Sequence, residues 1–209
     1  RQVNEKLTTI SVQKDAFLGQ ISHELRTPMT SIRAFSEILR DGGELSVADK
    51  TKYSGIIHDE AVRLTRLLDD LLDLSVLENG QVNLNMRSGK VSEILDYVIS
   101  AARGDVEENP LNIRRLRLHD DVTVTTDLDR LSQVFINLIS NAQKYCISDS
   151  PELTIEIGEE EDHVIIDFVD NGEGILRDSQ EIIFEKFSRT SPQNAGGAGL
   201  GLAICREIM

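Results

Sequence analysis

The chain contains no tryptophan and only nine aromatic residues, six Phe and three Tyr, among its 209 residues. Any core must therefore be built mainly from the aliphatic side chains behind the 40% apolar share. Basic residues are also scarce. The 22 Lys and Arg face 36 Asp and Glu, a net charge of −14, and binding to a nucleic-acid backbone rests on clustered Lys and Arg. Neither half is basic: residues 1–80 carry −3 and residues 81–209 carry −11. No apolar run approaches the roughly 18–20 residues of a membrane span, and no signal-peptide pattern opens the chain. Two isolated cysteines, Cys146 and Cys205, offer neither a disulfide framework nor a CxxC zinc site. They read as buried thiols in a reducing compartment. The composition is that of a soluble intracellular protein of one or two domains.

The first eighty residues differ in pattern from the rest. Leu18, Ile21, Leu25, Ile32, Phe35 and Leu39 follow 3-4 spacing, with Pro28 at the missing step, as in a bundle seam. Asp41-Gly42-Gly43 ends that helix. A second apolar series runs through Tyr53, Ile57, Leu64, Leu67, Leu71 and Leu74, widened by Leu68 and Leu72, and closes at Glu78-Asn79-Gly80. Two long helices joined by a short loop form a helical hairpin. One hairpin cannot cover seams this long, so two copies are expected to pack as a four-helix dimer. The alternative is that the hairpin packs on its own second domain.

From about residue 82 short alternating stretches mix with helices. Strands are expected at 81–86, 116–118, 122–126, 153–157 and 164–169, and helices at Val91–Ala102, Leu128–Tyr145 and 202–208. The order lacks strict βαβ alternation and predicts an α+β domain with helices on one face of a sheet.

Four groups of residues carry chemistry. In Ser22-His23-Glu24-Leu25-Arg26-Thr27-Pro28, seam position a at Leu18 places His23 at f, facing solvent. By itself an exposed histidine is an ordinary surface residue. Here, however, Glu24 follows at once, Thr27 lies one turn along the same face, and Pro28 removes a backbone donor and bends the helix. A neutral imidazole is a competent nucleophile at cellular pH, and an adjacent carboxylate can take its proton. Asn137 and Asn141 are again four apart, with Lys144 three further; amide oxygens suit Mg²⁺ and the lysine suits phosphate, although an outward polar helix face looks the same. Asp170-Asn171-Gly172-Glu173-Gly174 follows a strand, and its glycines permit close backbone approach. Gly196-Gly197-Ala198-Gly199-Leu200-Gly201 leads into a helix whose N-terminus suits phosphates. Each of these last two also fits an ordinary turn or loop.

Taken in order, these groups resemble the catalytic core of the sensor histidine kinases of two-component systems. The histidine segment resembles the H box and residues 137–145 the N box. Residues 170–174 resemble the G1 box, Ile183-Phe184-Glu185-Lys186-Phe187-Ser188-Arg189 the F box, and 197–201 the G2 box. The resemblance implies two domains. Residues 1–80 would be an all-α dimerisation and phosphotransfer hairpin. Residues 81–209 would be an α/β sandwich ATP-binding domain of the histidine kinase, gyrase and heat-shock-chaperone type, continuing in the family into a strand beyond Met209. It further implies that His23 accepts the γ-phosphoryl group of ATP, that Glu24 is its base, and that Thr27 orients water to dephosphorylate a response regulator receiver domain. Asn137 and Asn141 would hold Mg²⁺ and phosphates, and Lys144 and Arg189 would reach the phosphate end. Tyr145 would lie at the sugar or base, and Asp170 at the adenine amine. Gly172, Gly174, Phe184, Phe187, Gly197, Gly199, Leu200 and Gly201 would shape the pocket and its lid. A hinge near Asn79-Gly80 would let His23 meet both the ATP domain and the receiver. The core would be cytoplasmic, with no nucleic-acid or membrane contact of its own, downstream of a sensor or membrane segment. Thr190-Ser191-Pro192 departs from the family, which has an acidic residue soon after the F-box arginine. Two other readings remain: a non-catalytic dimeric scaffold with a degenerate nucleotide domain, and a gyrase-like ATPase with no phosphoacceptor helix.

Overall fold

In the computed structural model the chain divides into two compact units, Arg1–Asp73 and Leu74–Met209. The structure describes the backbone of residues 2–80, 83–102, 111–116, 122–188 and 198–209, with side chains from residue 15 onward within those ranges. No helix among the described residues is long and apolar enough to cross a membrane.

The hairpin consists of α1 (Gln2–Asp41) and α2 (Val47–Glu78). α1 passes through Pro28 as one helix rather than breaking there. The hydroxyls of Thr27 and Thr30, on either side of the proline, donate to the carbonyls of His23 (3.3 Å) and Arg26 (2.8 Å). The expected stop at the glycine pair holds: Gly42 N–H donates to Ile38 O (2.8 Å), and Gly43 takes φ +63°. Ser46 then starts α2, accepting from the Asp49 N–H and donating to its carboxylate, a reciprocal cap. Phe35 and Tyr53 stack across the hairpin with ring centroids 5.4 Å apart.

The second unit contains β1 (Met86–Lys90), α3 (Val91–Ala102), β2 (Asn112–Leu116), β3 (Thr123–Asp127), α4 (Leu128–Tyr145), β4 (Glu152–Glu160), β5 (His163–Asp170) and α5 (Gly201–Ile208). β1 pairs antiparallel with β3, while β4 pairs parallel with β2 and antiparallel with β5. Period-two alternation buries Leu153, Ile155 and Ile157 of β4. They join Val91, Ile94, Leu95 and Val98 of α3, Val134, Phe135, Ile139 and Ala142 of α4, and Cys205 of α5 in one core. Helices thus form one layer over strands, the expected two-layer α/β arrangement. Burying a side chain such as Phe135 contributes about 1.5–3 kcal/mol.

Two expected strands are displaced. The strand read at 81–86 begins only at Met86; residues 83–85 are irregular and 81–82 lie outside the described residues. Its position is set by pairing with β3, Met86 opposite Asp127 and Lys90 opposite Thr123. It carries mostly exposed residues, so no apolar alternation marks it. The strand read at 116–118 is β2, which ends at Leu116, with 117–118 outside the described residues. Arg115 occupies one of its inner positions because its guanidinium meets the Asp96 carboxylate (2.7 Å) and the Ser92 carbonyl (3.2 Å) of α3.

Asp127 joins β3 to α4. Its buried carboxylate caps the helix, accepting from Asp129 N–H and Arg130 N–H (both 3.1 Å) and from Asn85 N–H (3.0 Å). The Asn85 N–H foremost, then those of Arg130 and Asp129, holds the carboxyl below the usual carboxylate range, against the opposing effect of burial. A group held lower in the fold than its unfolded value of about 3.9 stabilises fully above that pH and loses its contribution as pH falls through the folded value. Asp127→Ala should therefore cost about 1–2 kcal/mol at neutral pH. In urea melts, the gap to the parent should narrow steadily below about pH 4.

Candidate functional site

Two groups of candidate residues exist, one in each unit. In the hairpin, His23 is exposed on α1, as its seam position predicts, and Thr27 lies one turn on with its hydroxyl bonded to the His23 carbonyl. Glu24 is turned inward: its carboxylate lies 4.0 Å from the guanidinium of Arg63 on α2. The same guanidinium stands 3.7 Å from Glu60. Arg63 and Glu60 drew no attention in the sequence, because the contact with Glu24 joins residues far apart in the chain.

In the second unit α4 carries the other candidates. Its apolar stripe is fixed in the core, so Asn137 and Asn141, four apart, emerge together and only partly buried. The Asn137 amide donates to the Gly201 carbonyl (3.2 Å), tying α4 to the first residue of α5. Burial raises the Cys205 thiol above its ordinary range, opposed by the Asn137 side chain and the Cys205 backbone N–H. Lys144 and Tyr145 occupy the exposed last turn.

The turn after β5 packs against the end of α4. Asp170 accepts the Gly172 N–H (2.8 Å), closing a tight Asx turn. A Cβ at Gly172 would lie 2.8 Å from the Asp170 carboxylate and 3.2 Å from both Cys146 Cα and the Tyr145 carbonyl. A larger residue there would have to displace the Asp170 carboxylate and press on the end of α4. Gly174 is in the left-handed region, at φ +75°.

Asn171, passed over as a turn residue, holds this junction together. Its Oδ1 accepts from Glu152 N–H (2.8 Å) and Cys146 S–H (2.9 Å). Its Nδ2 donates to Ser150 O (3.0 Å) and Ser148 Oγ (3.4 Å), and its backbone N–H to Glu152 O (3.1 Å). The start of β4, the C-cap of α4 and the Asp170 turn thus meet in one amide. The signal was available in principle, since an Asn beside a glycine is a residue that bonds neighbouring backbone.

Phe184 lies in a short 3₁₀ turn, Ile182–Phe184, and is partly exposed. Phe187 is buried with φ +60°, an uncommon conformation for a bulky residue, and its N–H donates to Gly199 O (2.9 Å). Gly199 has φ +71°, and a Cβ there would fall 2.8 Å from Ser188 O and 2.9 Å from the Phe187 carbonyl carbon. Leu200 is buried and Gly201 opens α5. Arg189 and Gly197 lie outside the described residues. Both cysteines are buried and free, as expected.

The two groups are of different chemistry: a solvent-facing imidazole with a hydroxyl one turn along and an inward-turned carboxylate next in the chain, and a face of amides and glycine turns at helix ends. Among the described residues no three His, Cys, Asp or Glu side chains cluster to hold a metal ion. The amide oxygens of Asn137 and Asn141 are the hard donors at this face, which fits a Mg²⁺ ion completed by phosphate and water.

Two family models match the chain: the His Kinase A (phospho-acceptor) domain at residues 13–80, and the Histidine kinase-, DNA gyrase B-, and HSP90-like ATPase at residues 126–209. Among curated relatives, the sensor histidine kinase WalK of Bacillus subtilis is 32% identical over 94% of this chain. The signal transduction histidine-protein kinase BaeS of Escherichia coli is 34% identical over 92%. The chain spans only 33% of the first and 41% of the second. Among solved structures, the histidine kinase AdeS of Acinetobacter baumannii is 26% identical with a TM-score of 0.69, covering 89% of this chain and 85% of that one. The fold is shared as well with the histidine kinase ThkA, solved in complex with the response regulator TrrA, at 24% identity and a TM-score of 0.71 over 99% of this chain and 56% of that one.

Asn171→Ala should remove the amide's bonds to the Glu152 N–H, the Cys146 thiol and the Ser150 carbonyl. At this exposed position, where water can take the amide's place, the expected cost is about 1 kcal/mol of stability in urea. Cys146 should also react several times faster with a thiol reagent than in the parent.

Proposed function

The chain belongs to the sensor histidine kinases and carries their catalytic core, and from that premise we propose that it is an autokinase that phosphorylates His23 and passes the phosphoryl group to an Asp of a response regulator. The observation that carries the proposal is His23, held in solvent on a continuous helix with Glu24 and Thr27 beside it. The imidazole nitrogen forms a P–N bond to the γ-phosphorus while the P–O bond to the β-phosphate breaks. ADP leaves with that electron pair, and Glu24 takes the proton displaced from the ring. Such transfer needs in-line positioning and charge neutralisation more than covalent help from the protein.

Residues 81–209 are the nucleotide domain in this reading, and 1–80 the phosphoacceptor domain. Asp170, locked by its own turn, takes the adenine amine, with Gly172 and Gly174 giving the base its space and Tyr145 flanking the sugar. Lys144 and Arg189 face the phosphates; Phe184, Phe187, Gly197, Gly199, Leu200 and Gly201 shape the phosphate end. Mg²⁺, held by Asn137 and Asn141 together with the phosphates, would neutralise charge that a domain of net −11 cannot offset by its overall field. Two copies pair through the hairpins. Supporting this, Leu18 and Met29 share one face of α1 and Leu68 and Leu72 one face of α2, and all four stay exposed in one copy, with Leu72 at 66%; apolar surface of that kind suits a partner. Thr27, on the face of His23, would orient water in dephosphorylation of the regulator. The regulator's side is cytoplasmic.

The test is incubation with γ-labelled ATP and Mg²⁺. The parent should acquire acid-labile label and His23→Ala none. Asn141→Ala should cut labelling at least about tenfold by weakening nucleotide binding. Label that survives in His23→Ala would point to another acceptor. Nucleotide binding without label in the parent would point to a signalling scaffold instead.

A further inference from the structure

Arg63 of α2 links the phosphoacceptor segment of α1 to a second carboxylate through its guanidinium. Its Nη2 lies 4.0 Å from Glu24 Oε2 and its Nη1 3.7 Å from Glu60 Oε2. Neither distance is a closed hydrogen bond, which for N–H···O falls near 2.7–3.2 Å. Both carboxylates stand within ion-pair reach of the one guanidinium. The cluster is shielded: the side chain of Glu24 is 11% exposed, that of Glu60 23% and that of Arg63 38%. Glu60 Oε2 is enclosed and accepts no hydrogen bond, the costliest condition for a carboxylate oxygen. Glu60 therefore competes for the guanidinium that also faces Glu24.

We infer that Arg63 is a positioning residue for Glu24, and that Glu60 weakens its hold. The inference rests on the reading of His23 as acceptor and Glu24 as its base. Consecutive helical residues diverge by about 100°, so a carboxylate next to the histidine is not aimed at the ring by the helix alone. The guanidinium of Arg63 on the facing helix bears on where that carboxylate sits. Arg63 is suited to this because its rigid planar fork serves two carboxylates from different directions, whereas lysine offers a point charge on a flexible stem. Arg63 acts only through Glu24, and it lies in the hairpin unit while the nucleotide candidates lie in the other. Its loss should therefore slow phosphoryl transfer without weakening ATP binding.

The experiment measures initial rates of His23 labelling against ATP concentration in the full chain and in Arg63→Met, Arg63→Lys and Glu60→Gln. Dimerisation and thermal melting of each are followed in parallel. Arg63→Met should lower kcat at least about tenfold with KM for ATP unchanged, and Arg63→Lys should recover part of that loss. Glu60→Gln should raise kcat two- to fivefold, since it leaves the guanidinium to Glu24 alone. Labelling of Arg63→Met at the parent rate would overturn the inference, as would a loss shared equally by kcat, dimerisation and melting. A fall in Glu60→Gln would show that Glu60 anchors Arg63 rather than competing for it, and would overturn the second half. Absence of label in the parent itself would instead sink the underlying autokinase reading, so the two failures are distinct.

Discussion

The nucleotide end of the molecule depends on the burial of a single helix face. Val134, Phe135, Ile139 and Ala142 of α4 are held in the core against β4 and α3. Each large side chain there contributes about 1.5–3 kcal/mol, and together they fix the rotation of α4 about its own axis. With that angle set, 3.6 residues per turn decide where everything else emerges. Asn137 and Asn141 leave the core together, and Tyr145 arrives at the helix end where the Asp170 turn packs. A helix free to rotate by one residue, about 100°, would carry the same amides into the core or away from the glycine turns. The axial position is held too, by Asp127 at one end and by Asn171, through Cys146, at the other.

The hairpin is under the opposite constraint. Its histidine must meet more than one partner in the proposed cycle, so it cannot be enclosed. The structure meets this by keeping His23 at an outward position of a helix that continues through Pro28. Its apolar seam is still half open in one copy. Stability of the hairpin and exposure of the acceptor are thus separated onto different faces of α1.

Much of this was legible in the sequence where periodicity and capping agree. α3 and α4 begin and end where the pattern places them, because a 3.6-residue apolar stripe runs their full length and, for α4, Asp127 and the break after Tyr145 mark the ends. β4 and β5 were legible from alternation, although longer than read. β1 was misplaced because Met-Arg-Ser-Gly-Lys has no inward apolar side chains to announce it; backbone pairing with β3 alone makes it a strand. In β2 an inward arginine broke the alternation. Some candidate residues stood out by chemical type and spacing, such as His23, Asn137 and Asn141; others, such as Tyr145, Phe184 and Phe187, came only from the resemblance to the family. The residues that hold them were found by neither route. Asn171 gathers partners from 146 to 152, and Arg63 reaches Glu24, contacts that exist only once the chain has folded.

That asymmetry has a physical origin. A residue that meets a ligand must have a particular chemistry, and the chemistry shows in its letter. A residue that positions another works through geometry, and nearly any polar side chain of the right reach will serve. The strained backbone at Phe187 is the clearest instance. Nothing about a phenylalanine announces φ +60°. The conformation persists because its N–H is bonded to the Gly199 carbonyl, and because Gly199, itself at φ +71°, has no Cβ to strike the Phe187 and Ser188 backbone. The glycine motif was legible as a place where something approaches closely. In this structure that something is the protein's own chain: Gly199 lets the Phe187 turn close onto the start of α5, and so fixes the entry to the helix on which Gly201 meets Asn137. The glycines here are first of all a packing device, one that sets α4 and α5 in register with each other.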